Sequence, residues 1–410
     1  MKTNYLLGLL VIITMLSITS CEKSLYDPNQ KQDQKDKTIS DLVIPEDFDW
    51  TMTQTVTCKV TSDHSARLFI YLNEACSTDK CIAAISVEAG TNASLPLSIA
   101  KSIQQVYVQY ESTSGKTVVY AAPVDASGTI IIKAPADSKA ATTRAGGEKA
   151  ITQLFSRGTI MFEDNYPAIG DYDFNDFVAY YKMTVTTNFD NTEVNKMELE
   201  MTVAALGGIN PYIPCLRLPY NSTIIKKATL TTTTSDVTLA KKISPSDGRN
   251  YPVYFFNGAE QSNNKQGQFL NTERGKEPAS VKTFTLTVEF EEGWVLWQQN
   301  DPWTMFGDIF LADRDNNSKE IHMLGYKPAF GNDTSTSSNF YDLKNNTTYR
   351  YNGRAWGINI PGFSARHAYE KENFLKAYPD LAKWAESNGA QNKDWYETNI
   401  NGDFLYPSLH

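Results

Sequence analysis

Residues 55–61 read TVTCKVT, which sets Val56, Cys58 and Val60 on one side of an extended chain and Thr55, Thr57, Lys59 and Thr61 on the other. Successive side chains of a pleated strand point to opposite faces, so strict alternation marks a strand with one buried face. The same period recurs at Leu68, Ile70 and Leu72, at Val106, Val108 and Tyr110, and at Val118 and Tyr120. Gly115 and Gly128 fall between apolar runs, in Ser114-Gly115-Lys116 and Ser127-Gly128-Thr129, where hairpins are expected to turn. Strands about a dozen residues apart with turn signals between them predict a small immunoglobulin-like β-sandwich over 46–135. Modules of this kind more often space or present another domain than bind a ligand themselves.

Downstream, 136–149 read ADSKAATTRAGGEK, small and polar, the composition of a domain linker. The remainder, 150–410, is expected to be one larger β unit. Its strands include Phe177–Val185, Met197–Val203, Ile309–Leu311 and Thr283–Phe290, the last alternating Phe284, Leu286, Val288 and Phe290. No tandem repeat is visible. Near the end, Phe374, Leu375, Tyr378, Leu381, Ala382 and Trp384 follow the three-and-four spacing of an amphipathic helix over Lys371–Ser387. Pro379 predicts a break within it, and Asn388-Gly389 a stop. The fold class is therefore mainly β, two successive sandwiches with a C-terminal helical segment.

Upstream, Lys2 precedes an apolar stretch, Tyr5 to Ile18, too short to span a bilayer comfortably. Ile18-Thr19-Ser20-Cys21 follows: an aliphatic residue, two small residues and a cysteine. A lipoprotein signal peptidase accepts this pattern, because small side chains clear the cleavage point and the thiol takes the lipid. Residues 1–20 are expected to be a lipoprotein signal peptide and Cys21 the lipidated residue. Burial of the acyl chains then holds the protein on a membrane at about 0.8 kcal/mol per CH₂. Glu22, not Asp, follows the cysteine, which points to sorting to the outer membrane, on its surface or its periplasmic side. Residues 21–45 are polar and read as a flexible tether.

Composition agrees with an exported globular body. Of 410 residues, 41% are hydrophobic and 21% charged, enough apolar mass for two cores. The 22 tyrosines and frequent threonines suit strands. The formal net charge is −9, and no Lys/Arg cluster offers a face for phosphates, which excludes nucleic acid as the expected partner. Four cysteines remain after processing. Cys76 and Cys81 bracket a polar loop that export would allow to close as a disulfide, whereas Cys58 and Cys215 also read as small buried hydrophobes. Four cysteines admit three pairings, all open here. With no CxxC pair and scattered histidines, zinc is not expected.

The chemistry-bearing stretch is FEDNYPAIGDYDFNDFV, residues 162–178. Asp171, Asp173, Asn175 and Asp176 put four oxygen-bearing side chains into six residues, after Gly170 and before a strand. Such crowding of negative charge is costly unless a cation lies among it. A curled loop turns alternate positions inward, and hard oxygen donors favour Ca²⁺ over transition metals. Tyr172, Phe174 and Phe177 alternate with the acids and would anchor the loop in a core. An EF-hand is excluded, since Asp176 stands where its glycine belongs and Lys182 where its bidentate Glu belongs. Completion must come from elsewhere, first from Glu163 and Asp164, then from Asp308, Asp313 or Asp315. The competing reading is a turn whose Asx side chains bond backbone amides.

Asp313-Arg-Asp-Asn-Asn317 reads better as a hairpin turn, and His322 as a core or surface histidine rather than a zinc ligand. There is no G-x-S-x-G, H-E-x-x-H, P-loop or dinucleotide fingerprint. Glu291 and Glu292 would serve glycoside hydrolysis only at a defined spatial separation. No catalytic residue is assigned, and the chain is not expected to be an enzyme.

Four stretches, FEDNYPAIGDYDFNDFV (162–178), GDIFLADRDNNSKEIHMLGYKPA (307–329), WGINIPG (356–362) and AYEKENFLKAYPDLAKWAESNGAQNKDWY (368–396), resemble the LruC domain of exported bacterial proteins and lipoproteins. The resemblance implies that 150–410 is a single LruC-type unit in a cell-envelope protein. It implies no molecular activity. The expected function is a non-enzymatic, calcium-stabilised envelope lipoprotein with an adhesion or recognition role. The alternative is a carbohydrate-binding lipoprotein of a glycan-uptake system, with Trp294, Trp297 and Trp303 stacking on sugars, and behind it a glycan hydrolase. Expected partners are the membrane, through the lipid, and a glycan or protein ligand.

Overall fold

In the computed structural model, residues 36–136, 151–188, 193–233, 236–245, 250–260, 269–292, 306–331, 350–351, 353–362 and 365–409 are described. The signal peptide, Cys21, most of the linker and the three loop tryptophans lie outside them. No described helix is long and apolar enough to cross a membrane.

The alternating runs that precede the expected linker form β1 (Thr53–Ser62), β2 (Ala66–Tyr71), β3 (Cys81–Val87), β4 (Thr91–Ala100), β5 (Gln105–Glu111), β6 (Thr117–Pro123) and β7 (Thr129–Ala134). β1 pairs antiparallel with β4 and parallel with β7 to make a three-stranded sheet. Its inward residues Val56, Cys58, Val60, Leu95 and Leu97 pack in one core with Leu68, Ile70, Val106 and Val108 of the order β3-β2-β5-β6. The expected sandwich is present. Cys58 is wholly buried within it, and all four described cysteines are free thiols, so Cys76 and Cys81 are not bridged.

Beyond the linker come β8 (Ile151–Phe162), β9 (Phe177–Asn188), β10 (Val194–Ala205), β11 (Tyr212–Arg217), β12 (Ile225–Thr232), β13 (Thr238–Ile243), β14 (Pro252–Asn257), β15 (Lys282–Phe290), β16 (Asp308–Asp313) and β17 (Glu320–Ile321). Three short strands follow, β18 (Arg350–Tyr351), β19 (Arg354–Ala355) and β20 (Gly357–Pro361). The order β12-β15-β10-β9-β8 continues into β3-β2-β5-β6, so strands from both sides of the expected linker share one ten-stranded sheet. β8 makes the join: β3 pairs with its residues 152–154, and β20 with 158–162. β3 (CIAAISV) lacks alternation because both its faces are covered, so that it is buried almost throughout. A five-stranded sheet, β13-β14-β11-β16-β17, completes the second sandwich. The compact unit runs from Thr38 to His410.

β8 and β9 pair without interruption from Ile151↔Asn188 to Phe162↔Phe177, which fixes both ends of the 163–176 connection. Their side chains split between two cores. Ile160, Phe162, Phe177, Ala179 and Tyr181 face the sandwich interior, whereas Met161, Val178 and Tyr180 face a second core. That second core contains Tyr172, Phe174, the 39–52 segment and the C-terminal helices α1 (Phe374–Ala377) and α2 (Asp380–Glu386). Tyr378 and Pro379 separate the two helices, as the proline requires. Asn373 caps α1 by accepting from the Leu375 N–H at 3.0 Å.

The C-terminal end of the expected 21–45 tether is packed. Ile39, Leu42 and Ile44 are buried in the second core, and Phe48 and Trp50 meet Trp384 edge-on, with ring centres 4.8 and 5.7 Å away. Burying one such side chain stabilises by roughly 1.5–3 kcal/mol, enough to hold a short segment down.

Candidate metal centre

Leaving β8, the chain turns inward at Glu163, whose N–H donates to the Trp356 carbonyl at 2.9 Å. The loop closes where the Asp164 N–H donates to Asp176 Oδ2 at 2.7 Å. Between them, Tyr172 and Phe174 adopt left-handed backbone, φ +53° and +54°, which costs each bulky residue on the order of 1 kcal/mol. Both rings are buried in the second core, and that packing supports the strained backbone. The Phe174 and Tyr172 N–H groups donate to Glu163 Oε1 and Oε2, at 2.6 and 3.3 Å.

Glu163, Asp171 and Asp173 each present a carboxylate oxygen, and these atoms lie within 4.8 Å of one another. Glu163 and Asp173 are buried; Asp171 is exposed and opens the group to solvent. Asp173 accepts from the Asn175 N–H at 3.3 Å and from the Lys371 N–H at 2.7 Å. Burial first, then Asp176, Asp173 and Asp171, hold the Glu163 carboxyl far above the usual range. Asp173 is raised by burial and by Asp171 and Glu370, and Asp176 by burial and by Asp164, Asp173 and Asp171. Glu370 is pushed up to about 7 by burial and by Asp171. The strongest charge influences on Glu163, Asp173 and Asp176 are therefore other carboxylates. A hard divalent cation would reverse this balance by favouring the ionised forms.

The connection after β10 closes the far side. The Gly207 and Gly208 N–H groups donate to the Asn175 and Asp176 carbonyls at 3.0 and 3.1 Å, and the Asn210 N–H donates to Asp164 Oδ2 at 2.8 Å. A Cβ at Gly207 or Gly208 would collide with Asn175 or Asp164, and one at Gly170 would lie 2.7 Å from Glu163 Oε2.

Of the six residues expected to hold the metal, Glu163, Asp171 and Asp173 converge. Asp176 lies beside them, and Asp164 is held by Asn210. The Asn175 Nδ2 donates to the Ala368 carbonyl at 3.3 Å, and its Oδ1 is buried beside Gly207 with no hydrogen-bond partner among the described residues. The further candidates lie elsewhere. Asp313 accepts from the Asp315 and Asn316 N–H groups in the β16–β17 hairpin, and Asp308 belongs to a separate buried cluster with Arg217, His322 and Glu320. Glu370, Asn210 and the two glycines were not identified from the sequence. No local spacing joins them to the acidic loop, although Glu370 falls in the 368–396 stretch that carries some of the resemblance.

Fold and site together describe a double β-sandwich with a buried acidic loop at one hairpin end. The same architecture occurs in a crystal structure of a candidate lipoprotein from Bacteroides ovatus, with a TM-score of 0.64 and 18% identity over 83% of this chain and 99% of that one. The chain belongs to the DUF4842 family, described as a domain of unknown function, which matches residues 192–396. That match takes in Asn210, Glu370 and the Arg217–Asp308 cluster, and it leaves out the 163–176 loop. No curated protein matches.

Proposed function

We propose that the protein is a calcium-stabilised, non-enzymatic lipoprotein of the bacterial cell envelope, anchored through Cys21 at the outer membrane and serving adhesion or recognition. The calcium reading rests on one observation: Glu163, Asp171 and Asp173 converge within 4.8 Å, while the charged groups acting most strongly on the buried Glu163 and Asp173 are carboxylates. Ca²⁺ takes six to eight oxygen ligands at flexible geometry, so three carboxylates on a strained loop suit it. Its binding ties the β8–β9 loop, and through Lys371 the approach to α1, into one rigid end.

The envelope reading is supported by the Ile18–Cys21 lipobox, by the LruC resemblance, and by the candidate-lipoprotein description of the Bacteroides ovatus relative in fold. The non-enzymatic reading is supported by the lack of a recognisable catalytic motif in the sequence. Calcium titration of the full chain tests the ion: unaltered protein binds, and Glu163→Gln weakens binding at least about tenfold, or ~1.4 kcal/mol. Equal binding by both proteins, or none by either, removes the calcium reading. Cys21→Ser tests the anchor, and should release the protein from the membrane fraction.

A further inference from the structure

A second site lies away from the acidic loop. The three-stranded and five-stranded sheets share a continuous core with the ten-stranded sheet, and a cleft remains at the seam between them. It comprises a larger cavity of about 260 Å³ and a smaller cavity of about 70 Å³, and Thr53, Ser98 and Ser156 line both. Leu72, Ile99 and Ile103 give the larger cavity apolar walls, and Phe306 and Met323 do the same for the smaller.

Polar groups gather where the two cavities meet. Asn359 Nδ2 donates to Tyr181 Oη at 2.9 Å, and Ser156 Oγ lies 3.4 Å from the same oxygen. Gly158, in mid-strand, leaves room for this arrangement, since a Cβ there would lie 2.7 Å from the Tyr181 ring. The Thr53 and Ser98 hydroxyls form no side-chain hydrogen bond with any described residue, which leaves both available to a ligand. Charge on the lining balances: Lys80 and Arg157 stand against Asp79 and Glu397.

We propose that this cleft binds one neutral sugar ring, with Thr53, Ser98, Ser156 and Asn359 meeting its hydroxyls and the aliphatic walls meeting its C–H faces. With its larger cavity at about 260 Å³, the cleft sits at the small end of the roughly 300–1,000 Å³ of drug-sized pockets, which suits a single ring better than a long chain. Balanced charge argues against an anionic or cationic ligand. The hydroxyl cluster argues against a purely apolar one, because covering it without hydrogen bonds costs about 1–3 kcal/mol per group. The inference is independent of the calcium reading, since none of the acidic-loop residues lines the cleft.

The test is saturation-transfer NMR on the full chain with calcium present, using D-glucose, D-galactose, D-mannose and N-acetyl-D-glucosamine as separate probes, followed by titration of any that respond. At least one should bind. Ser98→Trp, which fills the shared region of the cleft, should abolish the signal, and Ser156→Ala should weaken binding severalfold. Thr53→Tyr, on the opposite strand of the same wall, is the second blocking variant should Ser98→Trp not fold, and unchanged thermal melts identify properly folded variants. Silence from all four sugars overturns the proposal, as does a signal that survives a folded blocking variant. So does an apolar dye held in the cleft that no sugar displaces.

Discussion

The molecule buries two groups of acidic side chains and treats them in opposite ways. In the five-stranded sheet, Asp308 accepts from Arg217 at 3.0 Å and meets His322 Nδ1 at 2.8 Å, while Glu320 meets His322 Nε2 at 2.6 Å. Glu320 also accepts from the Ala329 and Phe330 N–H groups, at 2.6 and 2.8 Å. All four side chains are fully buried. In the β8–β9 loop, Glu163 and Asp173 are equally buried, yet the charges acting most strongly on them are more carboxylates. The first group carries its cations within the chain. Among the described residues the second has backbone N–H donors, which orient carboxylates without neutralising them. Both lie in one fold, so the contrast sets acids with charge partners inside the chain against acids that the proposed ion would have to neutralise.

The largest expected effect tests the self-sufficient group. Arg217→Met leaves Asp308 with His322 in place of two cationic partners and removes the donors to the Pro328 and Lys327 carbonyls, at 3.1 and 2.5 Å. Removing one partner of a buried pair costs about 3–5 kcal/mol. Denaturant unfolding with calcium present should show that loss. A cost under about 1 kcal/mol would mean that this cluster does not depend on its own cation, and the contrast would lapse.

The next effect is smaller and changes sign with conditions. An ion at a hundredfold excess over its dissociation constant stabilises the native state by about 2.7 kcal/mol. Chelation should therefore lower the melting temperature of the unaltered protein. In chelator, Asp173→Asn should be as stable as the unaltered protein or more so, because it removes one charge from a crowded site. With calcium it should be the less stable of the two. An equal loss in both conditions would make Asp173 an ordinary structural acid, and the loop an ordinary turn.

How much of this was legible differs between the two groups for a physical reason. Local spacing set out the acidic loop: the D-x-D-x-N-D run and the alternating aromatics describe one bend, and Tyr172 and Phe174 are indeed its anchors. The same holds for TVTCKVT and for the helix broken at Pro379. Alternation reports which face is buried, however, and not which strand is the neighbour. The β3–β8 junction that makes one long sheet therefore left no trace in the sequence. Ile39, Leu42 and Ile44 belong to a short apolar stretch, TISDLVI, at the end of a polar run, too brief for any period to show that it packs. Arg217 and Asp308 meet across 91 residues, and Asp173 and Lys371 across 198, separations that no periodicity encodes.

Acidity offers a third comparison, because the two groups should respond in opposite directions. Burial opposes charge on His322, but Asp308 and Glu320, one on each ring nitrogen, outweigh it and hold the imidazole above its ordinary 6.5. A raised folded value means that this stabilisation is complete below 6.5 and is lost as the pH rises through the folded value. In calcium-saturated protein, stability should decline across that window, and His322→Gln should flatten the decline. Acidification acts on the loop in the other sense, since protons compete with calcium for its carboxylates. The difference in melting temperature between calcium and chelator should shrink as the pH falls. If it instead grows on acidification, the loop does not bind the ion through its ionised acids.

The smallest expected effect bears on geometry alone. Gly170→Ala adds a Cβ 2.7 Å from Glu163 Oε2 and alters no charge. Gly170 is only half-buried, and its φ is not in the left-handed range that disfavours side chains, so the metal-free fold should lose about 1 kcal/mol or less. Glu163 has little freedom to yield, because the N–H groups of Tyr172 and Phe174 hold both its oxygens. Its carboxylate must therefore shift relative to Asp171 and Asp173, and calcium affinity should fall several-fold while stability in chelator barely changes. That split separates a site built to a shape from a mere concentration of charge, which a displaced carboxylate would leave nearly intact. Unchanged affinity in Gly170→Ala would reduce the loop to the second kind.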